Sequence, residues 1–481
     1  MSHTARGTDT SAQNQPDPAA MFISRLLQSQ SSWAGAARSA AARGLTLPIA
    51  AVVALLTTGY LLRRFGQEPF AEYALMVSLI AVLPFADLGI GAAVVNATSI
   101  AEHERDRDHA VNVVAGAIRA LCVVCIVFVI AAAALSLSGS WRAILGDALS
   151  SDANLAVFVC VSLFAFSLPL SVCQRVAVGV GANDKQIVLL VVQPILTLIL
   201  VLLSGVLFDD PSLAFVAFFV SYAVTMCINV IFANKWSQGM LAAAATRAAQ
   251  VRHRLGVSRE ITSAAVPMSA MMIGIPLVMQ THRIMLSNFG TAAQVAQYSL
   301  AAQIFIPVTA VAAAASTTLW PFFARARGQD GPGHWSTNPF VFAIAMPIAA
   351  LMVCGVLTAA TPWLGELISG GAVQLTLPLG VAYSCFVIAQ VAQSPLGVYL
   401  TDVAGLRFQA ALTVPLVVVV WLTAKPAIEH FGAAGPLWTT AAALVVLQII
   451  PFSIVIARRQ RSARLASERS PRDREVQPFD S

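Results

Sequence analysis

The stretch YLLRRFGQEPFAEYAL, residues 60–75, joins two apolar segments that are each long enough to cross a membrane. The segment before the junction covers 44–62, and the segment after it covers 70–97. A helix that crosses a bilayer needs about 20 mostly apolar residues, so both segments are predicted transmembrane helices. Arg63 and Arg64 stand at the end of the first segment, where long cationic side chains reach the membrane surface.

The same pattern recurs along the chain and gives twelve predicted spans. They cover 44–62, 70–97, 110–137, 153–174, 186–208, 211–234, 261–287, 292–321, 339–361, 374–400, 405–424 and 434–457. Of the 481 residues, 58% are apolar and 11% are charged, whereas soluble domains carry roughly 25% charged residues. This composition excludes soluble, disordered and nucleic-acid-binding classes for most of the chain. It predicts an all-α polytopic membrane protein.

The distribution of Lys and Arg predicts the orientation of the spans. With the N-terminus in the cytoplasm, 23 of the 29 cationic side chains lie inside and 5 lie outside, namely Arg63, Arg64, Arg142, Arg283 and Lys425. Arg119 falls within a span. Because cytoplasmic loops of membrane proteins are enriched in Lys and Arg, this asymmetry predicts that both termini are cytoplasmic.

The longest basic connection between spans divides the chain into two halves of six spans each. The predicted units are a cytoplasmic tail with a candidate amphipathic helix (1–43), an N-terminal lobe (44–234), a basic cytoplasmic linker (235–260), a C-terminal lobe (261–457) and a basic cytoplasmic tail (458–481). The tail helix is suggested by apolar residues interleaved with Arg25 and Arg38.

The two halves carry related signatures. Phe65-Gly66 follows the first span and precedes Tyr73, whereas Phe289-Gly290 follows the seventh span and precedes Tyr298. An even number of spans per half makes such repeats parallel, related by an axis along the membrane normal. Prolines inside the spans favour bent helices around a cavity that opens and closes.

Several kinds of chemistry have no motif in the chain. There is no Walker A sequence for ATP hydrolysis, and no cluster of paired carboxylates for acid–base catalysis. The seven cysteines lie in apolar runs without metal-ligand spacing, so neither a metal nor another cofactor is expected. We therefore expect a protein that is not an enzyme.

The signatures resemble a known family. Residues 60–66, Glu72 to Leu75 and Phe85 to Gly91, which include Asp87-Leu88-Gly89, resemble the opening of O-antigen-type polysaccharide flippases. These belong to the multidrug/oligosaccharidyl-lipid/polysaccharide (MATE-like) exporter superfamily, and residues 283–298 resemble the same motif in the second lobe. The resemblance implies two lobes around a central cavity in the bacterial inner membrane. It also implies transport of undecaprenyl-diphosphate-linked oligosaccharide, with membrane lipids and further polysaccharide-assembly proteins as candidate partners.

Ionisable and amide side chains inside the spans are the candidate site residues, since polar groups in a bilayer are costly and often functional. For the substrate they are Arg283, Arg119, Arg64, Gln193, Gln303 and Gln393. Arginine suits bidentate phosphate contacts, and Arg119 either faces the cavity or reaches the cytoplasmic surface. The candidate ion-coupling residues are His282, where relatives often carry Asp, and Asp87. The alternative roles are interfacial anchoring for the arginines and helix–helix bonding for the glutamines.

Two other functions compete with the flippase. A cation-coupled multidrug exporter of the same superfamily calls for buried carboxylates, of which Asp87 is the clearest in the spans. A membrane glycosyltransferase or polymerase would incorporate labelled sugar without other enzymes. Arg119 and Arg283 favour an anionic substrate and hence the flippase.

The topology is testable by labelling. In a variant without the native cysteines, single cysteines at Gln250 and Ser467 should resist an impermeant thiol reagent in intact cells, whereas one at Asp209 should react. Labelling of the Ser467 position from outside would contradict the twelve-span orientation.

Overall fold

The computed structural model describes residues 18–82, 90–99, 101, 104–150, 153–208, 210–250, 281–326 and 338–472. Every regular element in these ranges is helical. In hydrocarbon each backbone N–H and C=O must find a partner within the protein, and a helix provides these partners locally. The all-α fold class predicted from the sequence is therefore confirmed.

The first half of the chain contributes the helices α1 to α11. They are α1 (Pro18–Phe65), α2 (Gln67–Val82), α3 (Ile90–Ser99), α4 (Glu104–Leu137), α5 (Trp141–Leu145), α6 (Asn154–Leu170), α7 (Val172–Gly179), α8 (Asn183–Leu189), α9 (Val192–Leu207), α10 (Ser212–Trp236) and α11 (Met240–Gln250).

The second half contributes the helices α12 to α18. They are α12 (281–289), α13 (Ala292–Ala326), α14 (Pro339–Ser369), α15 (Leu377–Tyr399), α16 (Val403–Phe431), α17 (Gly435–Leu444) and α18 (Ile450–Arg472). A 3₁₀ turn (Gly432–Ala434) joins α16 to α17, and a π-helical turn (Val445–Ile449) joins α17 to α18.

Nine helical stretches of the described residues are long and apolar enough to cross a membrane. They are Ala41–Phe65, Asp106–Leu137, Asn154–Gly179, Asn183–Leu207, Ser212–Trp236, Ala292–Ala313, Pro339–Ser369, Leu377–Tyr399 and Ala404–Ser462. The last stretch is 59 residues long and contains two predicted spans. The chain reverses direction at Gly432 (φ 58°), so that α17 packs back on α16. The predicted second and seventh spans lie partly outside the described residues.

The N-terminal tail, where the sequence predicts a candidate amphipathic helix, is helical from residue 18. Residues 18–43 continue directly into the first span as one 48-residue helix, which is about 72 Å long at 1.5 Å per residue. The helix therefore projects well beyond a bilayer core. At its exit from the bundle, Asn183 Nδ2 donates to Ser39 Oγ at 3.1 Å, and Arg38 lies 3.9 Å from Asp184.

Two of the predicted spans are interrupted, the fourth at Ser171 and the fifth at 190–191. Pro194 lacks an N–H and its ring clashes with the carbonyl four residues earlier, that of Leu190, which accounts for the break at 190–191. Pro169 lies inside α6 and does not account for the break at Ser171 in this way. The predicted bend of a span at proline is therefore found at Pro194.

The helices pack as two lobes. In the first lobe α4 packs on α6, and α10 packs on both α6 and α9; in the second lobe α15 packs on α13 and α14. Across the lobes, α1 and α2 contact α13. The outer faces carry exposed apolar side chains, such as Ile126 and Ile130 on α4 and Val356 on α14, as expected of a surface that faces lipid.

The related signatures of the two halves occupy matching positions. Phe65 ends α1 and position 289 ends α12, and a short turn then leads to the next long helix. Tyr73 and Tyr298 lie near the starts of those next helices and are both buried, with 8% and 5% of their surfaces exposed. The shared pattern therefore marks the same helix–turn–helix unit in each lobe.

An ion pair fastens α18 to the start of α16. Asp402 caps α16 by accepting from the backbone N–H of Gly405, and it lies 2.8 Å from Arg459 Nη1. Burial opposes the charged form of Asp402, but hydrogen bonds from Arg459 and backbone N–H groups outweigh this and lower the pKa of Asp402 below its usual range. The stabilisation is present above the ordinary pKa of aspartate and is lost as the pH falls through the lowered value.

Substitution at Asp402 should separate its two roles. Asn remains a good N-cap, so Asp402→Asn removes only the half-exposed ion pair, which contributes roughly 0.5 kcal/mol. Asp402→Ala also removes the cap and should cost about 1 kcal/mol more. Thermal unfolding in detergent should rank wild type above Asn and Asn above Ala. Equal melting temperatures for all three would contradict this account.

Candidate binding cavity

A cavity of about 710 Å³ lies between the two lobes. Its walls come from α1, α2, α8, α9 and α10 on one side and from α12 and α13 on the other. Arg43, Thr46 and Leu47 lie at the end where the long extension of α1 leaves the bundle. This size falls within the range of roughly 300–1,000 Å³ that is typical of small-molecule sites.

The cavity carries positive charge from both lobes. Arg43 on α1 and Arg283 on α12 line it, and none of the described residues in its wall is Asp or Glu. A wall that carries arginine but no described carboxylate favours anions over cations, although Arg43 is exposed and only Arg283 is half-buried. The cavity is therefore electrostatically suited to a ligand that carries negative charge.

Arg283 is held in place by the start of α13. Its Nε donates to Ser299 Oγ at 3.0 Å, and its guanidinium carbon lies 5.8 Å from the centroid of the Tyr298 ring. A cation within about 6 Å of an aromatic face is attracted by the ring. The side chain is half-buried, so its position is restricted while part of it still reaches the cavity.

Uncharged polar groups line the rest of the wall. Gln193 and Thr197 come from α9, Thr58 from α1 and Gln303 from α13. Thr58 Oγ1 bonds across the lobes to the amide of Gln303, 2.8 Å from Oε1 and 2.6 Å from Nε2. Amide and hydroxyl groups of this kind offer both donors and acceptors, which matches the hydroxyl groups of sugars.

Hydrogen bonds join the lobes beyond the far end of the cavity. Ser287 on α12 accepts from two backbone N–H groups after α5, those of Asp147 (to its carbonyl, 3.1 Å) and Ala148 (to its Oγ, 3.1 Å). Arg63 Nη2 donates to the carbonyl of Leu367 at 2.6 Å, and Gln67 donates to the carbonyl of Ala372. These contacts close the side that the sequence predicts to be external.

The predicted substrate residues divide into two groups. Arg283, Gln193 and Gln303 come together in the cavity wall. Arg64 is exposed near the end of α1, while Arg119 on α4 and Gln393 on α15 are half-buried and do not line the cavity. The predicted contact of these last three side chains with substrate stays a prediction without geometric support.

The structure describes only one of the two predicted coupling residues. Asp87 lies outside the described residues. His282 is fully buried, with Nδ1 2.9 Å from the hydroxyl of Tyr298 and Nε2 2.7 Å from that of Thr440. It is therefore next to the cavity arginine in sequence but faces the interior of the second lobe.

Sequence reasoning did not identify Arg43 as a cavity residue, whereas it named Arg283 both as a candidate substrate contact and as one of the external charges. Arg43 precedes the predicted first span by one residue, so it was assigned to the cytoplasmic tail. A charge that starts an apolar segment is equally compatible with a loop and with the mouth of a cavity. Only the neighbouring helices distinguish the two.

Metal ligation receives no support from the described residues. No group of three or more His, Cys, Asp or Glu side chains among them is arranged to hold an ion. The polar chemistry of the site is that of guanidinium, amide and hydroxyl groups.

Solved structures of transporters share this fold. An inward-facing multidrug resistance MATE family transporter of the MOP superfamily is 15% identical, with a TM-score of 0.63 over 87% of this chain and 96% of its own. The lipid II flippase MurJ in an inward closed conformation is 10% identical, with a TM-score of 0.65 over 87% of each chain. A MOP superfamily transporter from Pyrococcus furiosus is 14% identical, with a TM-score of 0.58 over 89% and 96%. At these identities the likeness establishes the fold alone.

The sequence comparisons establish the family. No curated protein sequence matches the chain. The family model described as "Polysaccharide biosynthesis protein" matches residues 38–327, which is more than half of the chain and includes both signatures. The family match leads to one conclusion: the protein belongs to the polysaccharide biosynthesis protein family, and it has the fold of solved MATE transporters and of the lipid II flippase MurJ.

Proposed function

We propose that the protein flips undecaprenyl-diphosphate-linked oligosaccharide across the bacterial inner membrane as a step in polysaccharide biosynthesis. The observation that carries this proposal is the cavity between the lobes, which has Arg43 and Arg283 but no carboxylate among its described lining residues. The family match and the fold shared with a lipid II flippase support it.

The diphosphate is the part of this substrate that is most difficult to move. Transfer of an unpaired anion into a low-dielectric interior costs many kcal/mol. Guanidinium groups reduce that cost through charge-assisted, bidentate hydrogen bonds, each stronger than a neutral one. Arg43, at the mouth of the cavity, and Arg283, further in, supply such groups from opposite lobes at two points along the cavity wall.

The sugar and lipid portions fit different surfaces. Gln193, Thr197 and Gln303 present donors and acceptors to sugar hydroxyls within the cavity. The polyprenyl chain is apolar and is accommodated by the bilayer, against the lipid-facing sides of the helices. Only the polar head of the substrate needs the protein for its passage.

Transport requires a second state, in which the lobes open at the predicted external end and close at the opposite end of the cavity. The structure represents a state closed at the predicted external end, where Ser287, Arg63 and Gln67 bridge the lobes. Each such bond contributes only about 1 kcal/mol net, so exchange of these contacts for others is energetically accessible. Alternation between two such states is the requirement for a carrier.

We assign ion coupling to His282 and Asp87 within this proposal. An imidazole takes up a proton near neutral pH in water, and His282 lies next to the cavity arginine. A proton that binds one state more tightly than the other biases the equilibrium between them. Both termini are proposed to be cytoplasmic, with polysaccharide-assembly enzymes as partners.

A multidrug exporter is the alternative that the fold permits, since MATE transporters share it. Cationic drugs would be repelled by Arg43 and Arg283, so the lining charge favours the flippase. A glycosyltransferase or polymerase is disfavoured because the relatives of known function are transporters. Export of a fluorescent cation by the protein in vesicles, without transport of lipid-linked glycan, would favour the alternative.

Substitution of the cavity arginines should stop glycan export. At equal protein level, Arg283→Ala and Arg43→Ala should each lower export at least tenfold, because one lost charge-assisted contact is worth about 1.5–3 kcal/mol. Arg283→Lys should retain part of the activity, since the charge remains. Surface polysaccharide in cells that lack the native gene is the measurement.

The matched control is Arg458→Ala, which removes an exposed arginine from α18, away from the cavity. It should export normally. Full export by both cavity variants would show that the two arginines are structural anchors rather than contacts of the diphosphate.

A cross-link at the closed end should trap one state. The backbone nitrogen of Ala148 lies 3.1 Å from Ser287 Oγ, so the pair Ala148→Cys and Ser287→Cys brings two thiols together in a variant without native cysteines. Oxidation should stop transport and reduction should restore it. Each single variant should be unaffected by oxidant, and continued transport by the oxidised pair would contradict alternation at this contact.

A further inference from the structure

A chain of contacts connects the cavity to the interior of the second lobe. It begins at Arg283, whose guanidinium lies over the ring of Tyr298 at 5.8 Å. The hydroxyl of Tyr298 lies 2.9 Å from Nδ1 of His282, and Nε2 of His282 lies 2.7 Å from the hydroxyl of Thr440. The chain therefore links α12, α13 and α17 through two side chains that are themselves buried.

The ring of Tyr298 has little freedom to move. Tyr383 from α15 donates its hydroxyl to the carbonyl of Tyr298 at 3.0 Å, and its ring centroid lies 5.3 Å from that of Tyr298. Phe305 stacks on Tyr383 with an interplanar angle of 12°. In a close-packed interior a ring fixed in this way transmits displacement rather than absorbing it.

Several described residues surround His282. Arg283 is on its own helix, Tyr298 comes from α13, Phe386 from α15 and Thr440 from α17. Tyr383 lies behind Tyr298. No carboxylate of the described part of the chain is bonded to the imidazole, so its hydrogen-bond partners are two hydroxyl groups.

Two hydroxyl partners make the hydrogen-bond pattern depend on the proton. A neutral imidazole donates from one nitrogen and accepts at the other, so one hydroxyl must donate to it while the other accepts. A protonated imidazole donates from both nitrogens. The hydroxyl that previously donated to the ring must then turn its hydrogen away and accept through its oxygen. A proton on His282 therefore changes the bonding of Tyr298 or Thr440.

His282 and Arg283 also interact through their charges. A positive charge on His282 is repelled by the neighbouring guanidinium of Arg283. An anion bound at Arg283 offsets that repulsion, and by linkage a proton at His282 strengthens anion binding to the same extent. Tyr298 lies between these groups and contacts both.

We propose that Tyr298 is the positioning residue that couples the anion site at Arg283 to the protonation of His282. Its ring supports the guanidinium and its hydroxyl orients the imidazole, so that anion binding and proton uptake favour one another. The proposal rests on the proposed function only in taking Arg283 as an anion site. It concerns binding, and it is testable without transport.

The test uses the full chain in lipid nanodiscs, labelled with ¹⁵N-histidine, and inorganic pyrophosphate as the probe. The imidazole signal of His282 is assigned from its loss in His282→Gln. In the wild type, pyrophosphate should shift the protonation midpoint of His282 to higher pH. In Arg283→Ala the shift should vanish.

Tyr298→Phe is the decisive variant, because it keeps the ring under Arg283 and removes only the hydroxyl. It should change the tautomer signal of His282 without probe and reduce the pyrophosphate-induced change in its protonation constant by about three- to tenfold, the effect of one lost hydrogen bond. Tyr222→Phe, which alters a half-buried tyrosine of the first lobe, is the matched control and should behave as the wild type.

The outcomes separate this inference from the proposed function. If calorimetry shows no pyrophosphate binding to the wild type, the anion site is wrong and the inference falls with it. If pyrophosphate binds but His282 does not respond, or responds equally in Tyr298→Phe, the inference alone is overturned. Should Tyr298→Phe not fold, Thr440→Val leaves Tyr298 as the sole hydroxyl partner and should retain the response; its loss would assign the coupling to α17 instead.

Discussion

The absence of water in the hydrocarbon core is the constraint on which the rest of the structure depends. It forces every described span to be helical, because unpaired backbone groups there are too costly. Irregular backbone is tolerated only where protein or a cavity covers it. The break at 190–191 obeys this rule, since Leu190 and Val191 line the cavity. The proline that removes a hydrogen bond therefore also helps to shape the wall of the site.

The same constraint determines which charges the interior accepts. Arg283 is stabilised by Ser299 and by the face of Tyr298, while the described lining contains no acid that would neutralise it. These two contacts hold the guanidinium at the cavity wall. The described lining therefore differs from the junction of α16 and α18, where a cation, Arg459, is paired with a carboxylate, Asp402.

Hydropathy predicted the fold because a span is a property of about 20 consecutive residues, which a single sequence displays fully. The site was only partly predictable. Gln193 and Gln303 were identified as polar groups in spans, but so were Arg119 and Gln393, which do not line the cavity. The face that a helix presents depends on its neighbours, and helices apolar on all sides give no periodic signal of it. Arg43 escaped notice for a related reason, since its helix continues unbroken across the predicted membrane boundary.

The described part of one helix carries three residues of the proposed site. Residues 281–289 include the buried His282, the cavity-lining Arg283 and Ser287, which bonds to the other lobe at the far end. These nine residues span about 13 Å at 1.5 Å per residue. Because they share one helix, a displacement of Ser287 away from Asp147 and Ala148 would also move Arg283 and His282. The proposed closure, anion binding and proton binding would then be contacts of a single element, which is the structural condition for coupling them.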